Sequence, residues 1–173
     1  MRPLTKDNIK YIVDQDIPIQ QYFCSLLLST LAELIEDSQL FIDSVMEAIG
    51  PNLYVILKAK KLIKENYSDF EDFIRDVNNA MNICDSVNVI PDKDSLVVYL
   101  CRNYRYCKYC PVNIGGADLV STGCPFPVLF EVMGKEAGFE YKATGIKREE
   151  RACVIYYKKV KNNIKGINII GYK

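Results

Sequence analysis

The sequence predicts an α/β chain of the α+β kind, with N-terminal helices packed on an antiparallel sheet. Three observations carry that reading. Residues 1–85 repeat apolar side chains at three- and four-residue intervals, the period of a helix. Residues 86–173 instead show short alternating apolar runs broken by Pro, Gly and Asp. No repeat, low-complexity stretch or linker separates the two. At 173 residues the chain suits one buried core, so residues 1–173 are read as one domain with a helical half, 1–85, and a mixed half, 86–173.

The elements follow in order. Phe23, Leu27, Leu31 and Leu34 recur at helical spacing and predict an amphipathic helix from about Gln20 to Glu36. A second helix is expected from Ser38 to Ile49, with Ile42, Val45, Met46 and Ile49 inward and Gly50 ending it. Pro51 suits the first turn of a third helix, whose stripe is Leu53, Ile56, Leu57 and Ile63. Ser68-Asp-Phe-Glu71 reads as a capping box opening a fourth helix to about Ile83, with Phe70, Phe73, Ile74, Val77 and Met81 inside.

Val87–Ile90 and Leu96–Cys101 then read as two strands around a turn at Pro91–Asp94. Tyr104–Gly123 is irregular. Pro125 and Pro127 begin a helix that Gly138 closes. Phe139–Lys147 and Ala152–Val160 form a hairpin turning at Arg148–Arg151, and Ile167–Tyr172 is expected as a last edge strand.

Lys plus Arg and Asp plus Glu are both 22, so the net charge is zero, against a dedicated nucleic-acid or anionic-membrane binder. The longest apolar stretch read from the sequence, Phe23–Leu31, falls short of the ~20 residues a bilayer requires. No apolar signal region follows the N-terminus. A cytoplasmic location is expected.

The chain has seven cysteines and no histidine. Triads, Cys–His pairs and histidine bases are therefore excluded, and a soft-metal site must be built from thiolates. Cys107 and Cys110 form a C-x2-C knuckle followed by Pro111. Cys124 stands where a helix begins, where the macrodipole favours a thiolate, and Cys153 lies in a predicted strand. These four are the candidate zinc ligands. Cys101 or Glu150 is an alternative for one of them, and an iron–sulfur cluster takes the same donors. Buried cysteine also behaves as a small hydrophobe, the reading given to Cys24 and Cys84.

Other features read as ordinary structure. Gly115-Gly116 suits a turn, the lysines at 58, 60, 61 and 64 a solvated helix end, and Glu149 and Glu150 a solvated hairpin turn. Tyr99, Tyr104, Tyr106 and Tyr109 surround the knuckle and are read as packing aromatics.

Four matching pieces resemble the 4-vinyl reductase domain family. They are Gly115-Gly116 through Cys124, the helix Phe126–Gly138, the run Phe139-Glu-Tyr-Lys-Ala-Thr-Gly145, and Cys153-Val-Ile-Tyr156. The resemblance spans roughly Leu96–Lys159. It implies a fold related to TRAPP subunits and haem-NO-binding-associated domains, a homodimer, and a small-molecule sensor or carrier with structural zinc near an apolar pocket. Cys124 and Cys153 match the family's early and last zinc ligands. Its middle Glu-x-x-Cys is missing where Lys142–Gly145 stand, and Cys107 and Cys110 are the available replacements. The histidine and tryptophan of phenol-sensing relatives are absent.

The expected function is binding or sensing of a small apolar ligand by a zinc-stabilised, non-catalytic domain. The alternative is a reductase-type enzyme with a bound cofactor or an iron–sulfur cluster.

Overall fold

The computed structural model describes residues 9, 10, 13, 17–102, 107–110, 123–149 and 152–160. Among them are helices α1 (Ile19–Leu34), α2 (Ser38–Ala59) and α3 (Phe70–Met81), strands β1 (Ser86–Asp92) and β2 (Ser95–Cys101), helix α4 (Phe126–Glu136), and strands β3 (Tyr141–Arg148) and β4 (Ala152–Lys159). All strand pairings are antiparallel, in the order β1-β2-β4-β3. This is the expected α+β architecture. The strand expected at Ile167–Tyr172 lies outside the described residues.

Strand alternation aligns the inner face into cross-strand rows. Val87, Leu100, Cys153 and Arg148 make one row, and Val89, Val98, Ile155 and Ile146 the next. Leu96, Tyr157 and Ala143 make a third. Rows of this kind are the unit of sheet stabilisation. β1 and β2 join through Lys93 and Asp94, with Lys93 at φ 44°, so pairing extends through Pro91 on the edge strand, where proline is tolerated. The turn is thus two residues, shorter than the expected Pro91–Asp94.

α3 is the most amphipathic helix and buries Phe70, Phe73, Ile74 and Val77 as expected. Its N-cap, however, is Asp69 in place of the expected Ser68, and the Asp69 carboxylate accepts from the Asp72 N–H at 2.8 Å. Phe70 is the aromatic hub. Its ring meets Phe73, Phe139, Tyr141 and Tyr157 at centroid distances of 5.7, 5.5, 5.1 and 5.7 Å. The Tyr157 hydroxyl donates to the Pro127 carbonyl at 2.9 Å and ties β4 to α4.

Two sequence expectations fail, each for a packing reason. Residues 38–59 form one helix, with Pro51 inside it. Gly50 ends nothing. A Cβ there would stand 3.0 Å from Val132 Cγ1, so the glycine permits α2 to lie close on α4. In the second case α1 turns its polar side inward. Gln21, Tyr22, Ser25, Leu28 and Ser29 are buried, while the expected stripe residues Phe23, Leu27 and Leu34 are exposed. Ile49 and Ile56 of α2, also expected inside, are exposed as well.

Gly134 supports the hub. A Cβ at this position would stand 2.7 Å from Phe70 Cε2, in a region closed by the neighbouring rings. Gly134→Ala is therefore expected to destabilise the protein by about 1–3 kcal/mol, because it overpacks the hub. Chemical denaturation measures this, with Gly138→Ala as the contrasting case of strain at φ +91° without a clash.

Candidate functional site

The four candidate ligands come from three separate elements, and the fold brings them to one end of the sheet. Cys107 and Cys110 lie on a turn closed by Cys110 N–H donating to the Cys107 carbonyl at 3.0 Å. Cys124 lies two residues before α4. Cys153 is on β4, between Leu100 and Arg148 of the flanking strands. All four are buried.

The knuckle is fastened to the end of α3. A helix C-terminus leaves its last carbonyls without helical partners. Here the Met81 carbonyl accepts from Tyr109 Oη at 2.9 Å and from Gln21 Nε2 at 3.2 Å. The Asn82 carbonyl accepts from Gln21 Nε2 at 2.8 Å. Asn82 itself is left-handed at φ 53°, and its Oδ1 accepts from Lys108 Nζ at 2.6 Å. Lys108 N–H donates to the Ile83 carbonyl at 2.8 Å. The lysine thereby puts a cation at the negative end of the helix dipole.

Cys124 is held by Gln39 in the first turn of α2. Cys124 N–H donates to Gln39 Oε1 at 3.0 Å, and Gln39 Nε2 donates to the Cys124 carbonyl at 3.0 Å. The knuckle meets the start of α4 through Tyr109 and Phe126, whose rings stand edge to face at 5.5 Å. Tyr109 thus packs as expected. Neither Gln21 nor Gln39 was marked by any sequence signal, since each looks like a solvated residue of a helix start.

The thiols are chemically unequal. Cys107 donates a hydrogen bond to Cys153, which is the main cause raising the first and lowering the second. Cys153 falls to about 7, helped by the Cys107 N–H and the positive charge of Arg148 against the cost of burial. Cys124 is pushed up by burial and by Cys153, with the Phe126 N–H and Arg148 opposing. Cys107 and Cys124 each lie within electrostatic reach of the other three cysteines. The contacts stop short of a closed cage: among the described residues, no three His, Cys, Asp or Glu side chains form a coordination group. Glu150, the alternative ligand, lies outside the described residues, as do Tyr104, Tyr106, Gly115 and Gly116.

The donor set fits a soft divalent ion. It offers sulfur donors, exclusion from water, one thiol already biased to thiolate, and a guanidinium beside two of the four. Cys101 lies between Cys84 and Cys153 and is only half-buried. Cys84 packs as core, its thiol donating to Asn78 Oδ1 at 3.0 Å and to the Ser86 carbonyl at 3.1 Å. Cys24 is half-buried, less enclosed than expected.

A cleft of ≈ 470 Å³ opens between α2, α4 and β3. Its lining combines Pro51, Val132, Phe139, Tyr141 and Val160 with the charged Glu47, Glu131, Glu136, Glu140, Lys135 and Lys142. The core beside it is filled by the Phe70 cluster, so this cleft is more polar than the apolar pocket expected.

Residues 34–159 match the model of the MJ0207 family. No curated protein matches the chain.

Burial raises the Cys84 thiol from its ordinary 9.0 to about 12. Folded Cys84 then stays protonated where the unfolded chain ionises. Its contribution is complete below pH 9 and is lost as pH rises toward 12, by ~1.4 kcal/mol per pH unit in the limit of full differential ionisation. Denaturation at pH 8 and pH 10.5 is expected to show a smaller loss for Cys84→Ala than for the parent.

Proposed function

We propose that this chain, which belongs to the MJ0207 family, is a small-molecule-binding domain whose fold is locked by zinc on Cys107, Cys110, Cys124 and Cys153. One observation carries the reading. Four cysteines from a loop, a helix start and a central strand are buried together, in a chain without histidine. Inert thiols require no such convergence, and the contacts of Cys107 with Cys153 and Cys124 join elements distant in sequence.

The metal's contribution is structural: thiolate coordination adds folding free energy by tying the knuckle to the helix start and the strand. The chain's own residues do the positioning. Gln39 orients the Cys124 backbone, Lys108 and Tyr109 anchor the knuckle to α3, and Arg148 offsets part of the negative charge of the thiolates. The chain has no histidine, and among the described residues Glu149 is exposed and paired to Lys147 at 3.0 Å, so the thiols themselves are the titrating groups of this neighbourhood.

The ligand reading rests on the cleft between α2, α4 and β3. Its mixed apolar and charged lining suits a small molecule with both apolar and polar parts, a modification of the wholly apolar ligand first expected. The resemblance to the 4-vinyl reductase domain supports the same class of function, and the family match leaves that resemblance standing on its own motifs.

Elemental analysis of protein purified under reducing conditions is expected to give about one zinc per chain. Cys107→Ser and Cys124→Ser are each expected to lose the metal and melt at lower temperature. Zinc below ~0.2 per chain, with melting unchanged by a chelator, overturns the proposal. A visible absorption spectrum separates the metals, since a zinc thiolate site is colourless and an iron–sulfur cluster is not.

Native mass spectrometry of the same protein addresses the cleft. A bound small molecule that is lost in Lys142→Trp, with zinc retained, is the expected result. No bound mass, or one indifferent to Lys142→Trp, removes the ligand part of the reading.

A further inference from the structure

We infer that the exposed face of α2 is an interface between two copies of this chain, paired antiparallel about a two-fold axis near residue 50. Along α2, positions 41, 44, 48, 52, 55 and 59 follow steps of three and four and so lie on one line of the helix. They are Phe, Ser, Ala, Asn, Val and Ala, every one is exposed, and none is charged. Val55 is 61% exposed. Leu40, Ile49 and Ile56 flank the line and are exposed too. The opposite side of α2, through Ile42, Gly50, Tyr54 and Leu57, is the one that joins the domain.

The preceding helix, α1, carries an exposed apolar line of its own. Ile19, Phe23, Leu27 and Leu34 are exposed on it, Phe23 at 66% and Leu34 at 77%. Leu34 and Leu40 flank the short turn between the helices. With ~100 Å² from each of the nine large exposed side chains named, the two helices expose ~900 Å² of apolar side chain, comparable with the ~800 Å² per partner of a standard interface. Apolar exposure of this extent is unusual on a monomer.

Two features point to a second copy as the occupant. The first is shape. A two-fold axis at residue 50 pairs residues whose numbers sum to about 100, a direct consequence of antiparallel alignment. Phe41 then meets the partner's Ala59, Ser44 lies opposite the bulkier Val55 and Ile56 pair, and Ala48 meets Asn52. Large side chains fall on small ones toward both ends of the ~33 Å helix, and small residues meet at the axis.

The second feature is charge. Glu33, Glu36, Asp37 and Asp43 gather at the start of α2, and Lys58, Lys60, Lys61 and Lys64 at its end. Antiparallel pairing sets each acidic start beside the other copy's basic end. Lys58, half-buried, and Lys64, exposed, already hold Glu65 and Asp72 at 3.0 and 3.1 Å, surface pairs of the weak kind. The same helix is long and apolar enough by composition to cross a membrane. Asp43 and Glu47 within it, and the acidic cluster at its start, oppose an anionic lipid surface.

Light scattering of the full chain at about 50 µM, well above the dissociation constant of a specific standard-size interface, is expected to give twice the chain mass. Val55→Glu is expected to give monomer with unchanged circular dichroism. Lys60→Glu with Lys61→Glu is expected to weaken dimerisation about tenfold, and adding Glu36→Lys with Asp37→Lys to restore it. A monomeric parent, or a dimer unaffected by Val55→Glu, overturns the interface. Failure of the charge reversal to restore pairing overturns the antiparallel arrangement. Flotation of the parent with phosphatidylcholine–phosphatidylglycerol vesicles, lost in Val55→Glu, assigns the face to lipid and overturns the pairing too.

Discussion

The contact between Cys107 and Cys153 joins the irregular knuckle to a central strand of the sheet, and the arrangement around it depends on that junction. Cys153 sits near the end of an inner strand, in the row Val87, Leu100, Cys153, Arg148, so its position is set by three strand pairings. Whatever reaches Cys153 must be brought there from outside. The knuckle is carried by the end of α3, and Cys124 by the start of α4 under the grip of Gln39. The hydrogen bond between Cys107 and Cys153 pushes the first up and the second down, and burial pushes Cys124 up. The proposed soft divalent cation would favour thiolate on every donor at once.

The same packing explains where a ligand has room. Phe70 fills the space between sheet and helices, and Gly134 leaves it that space. The interior beside the hub is therefore solid, and the cleft lies at the margin, where α2 and α4 flank β3. α2 in this way serves two sides. Its inner side touches α4 through Gly50 and borders the cleft through Glu47 and Pro51, while its outer side carries the uncharged line from Phe41 to Ala59. A partner seated on the outer side thus acts on the helix that walls the cleft.

Much of the fold was legible because local rules agreed with the tertiary structure. The strands alternate at period two, Gly138 ends α4 in the left-handed region, and α3 buries the face its spacing marks. The four cysteines that the sequence singles out are all buried, and Cys107 meets Cys153 across the fold. The failures came where an apolar stripe has two uses. Spacing locates the stripe of α1 but does not say whether it meets the core or another surface, and Phe23 and Leu34 face out. Gly50-Pro51 is a stop signal by local rules, yet close approach to Val132 accounts for the glycine better. Gln39 and Gln21 were silent because a glutamine at a helix start acquires its role only when a distant backbone arrives beside it.

Zinc K-edge X-ray absorption on the purified protein tests the central claim most directly. Four sulfur neighbours at about 2.3 Å, with no nitrogen or oxygen in the inner shell, is the result expected of Cys107, Cys110, Cys124 and Cys153 acting together. A shell dominated by oxygen or nitrogen at about 2.0–2.1 Å, or one with two sulfurs or fewer, contradicts an all-cysteine centre.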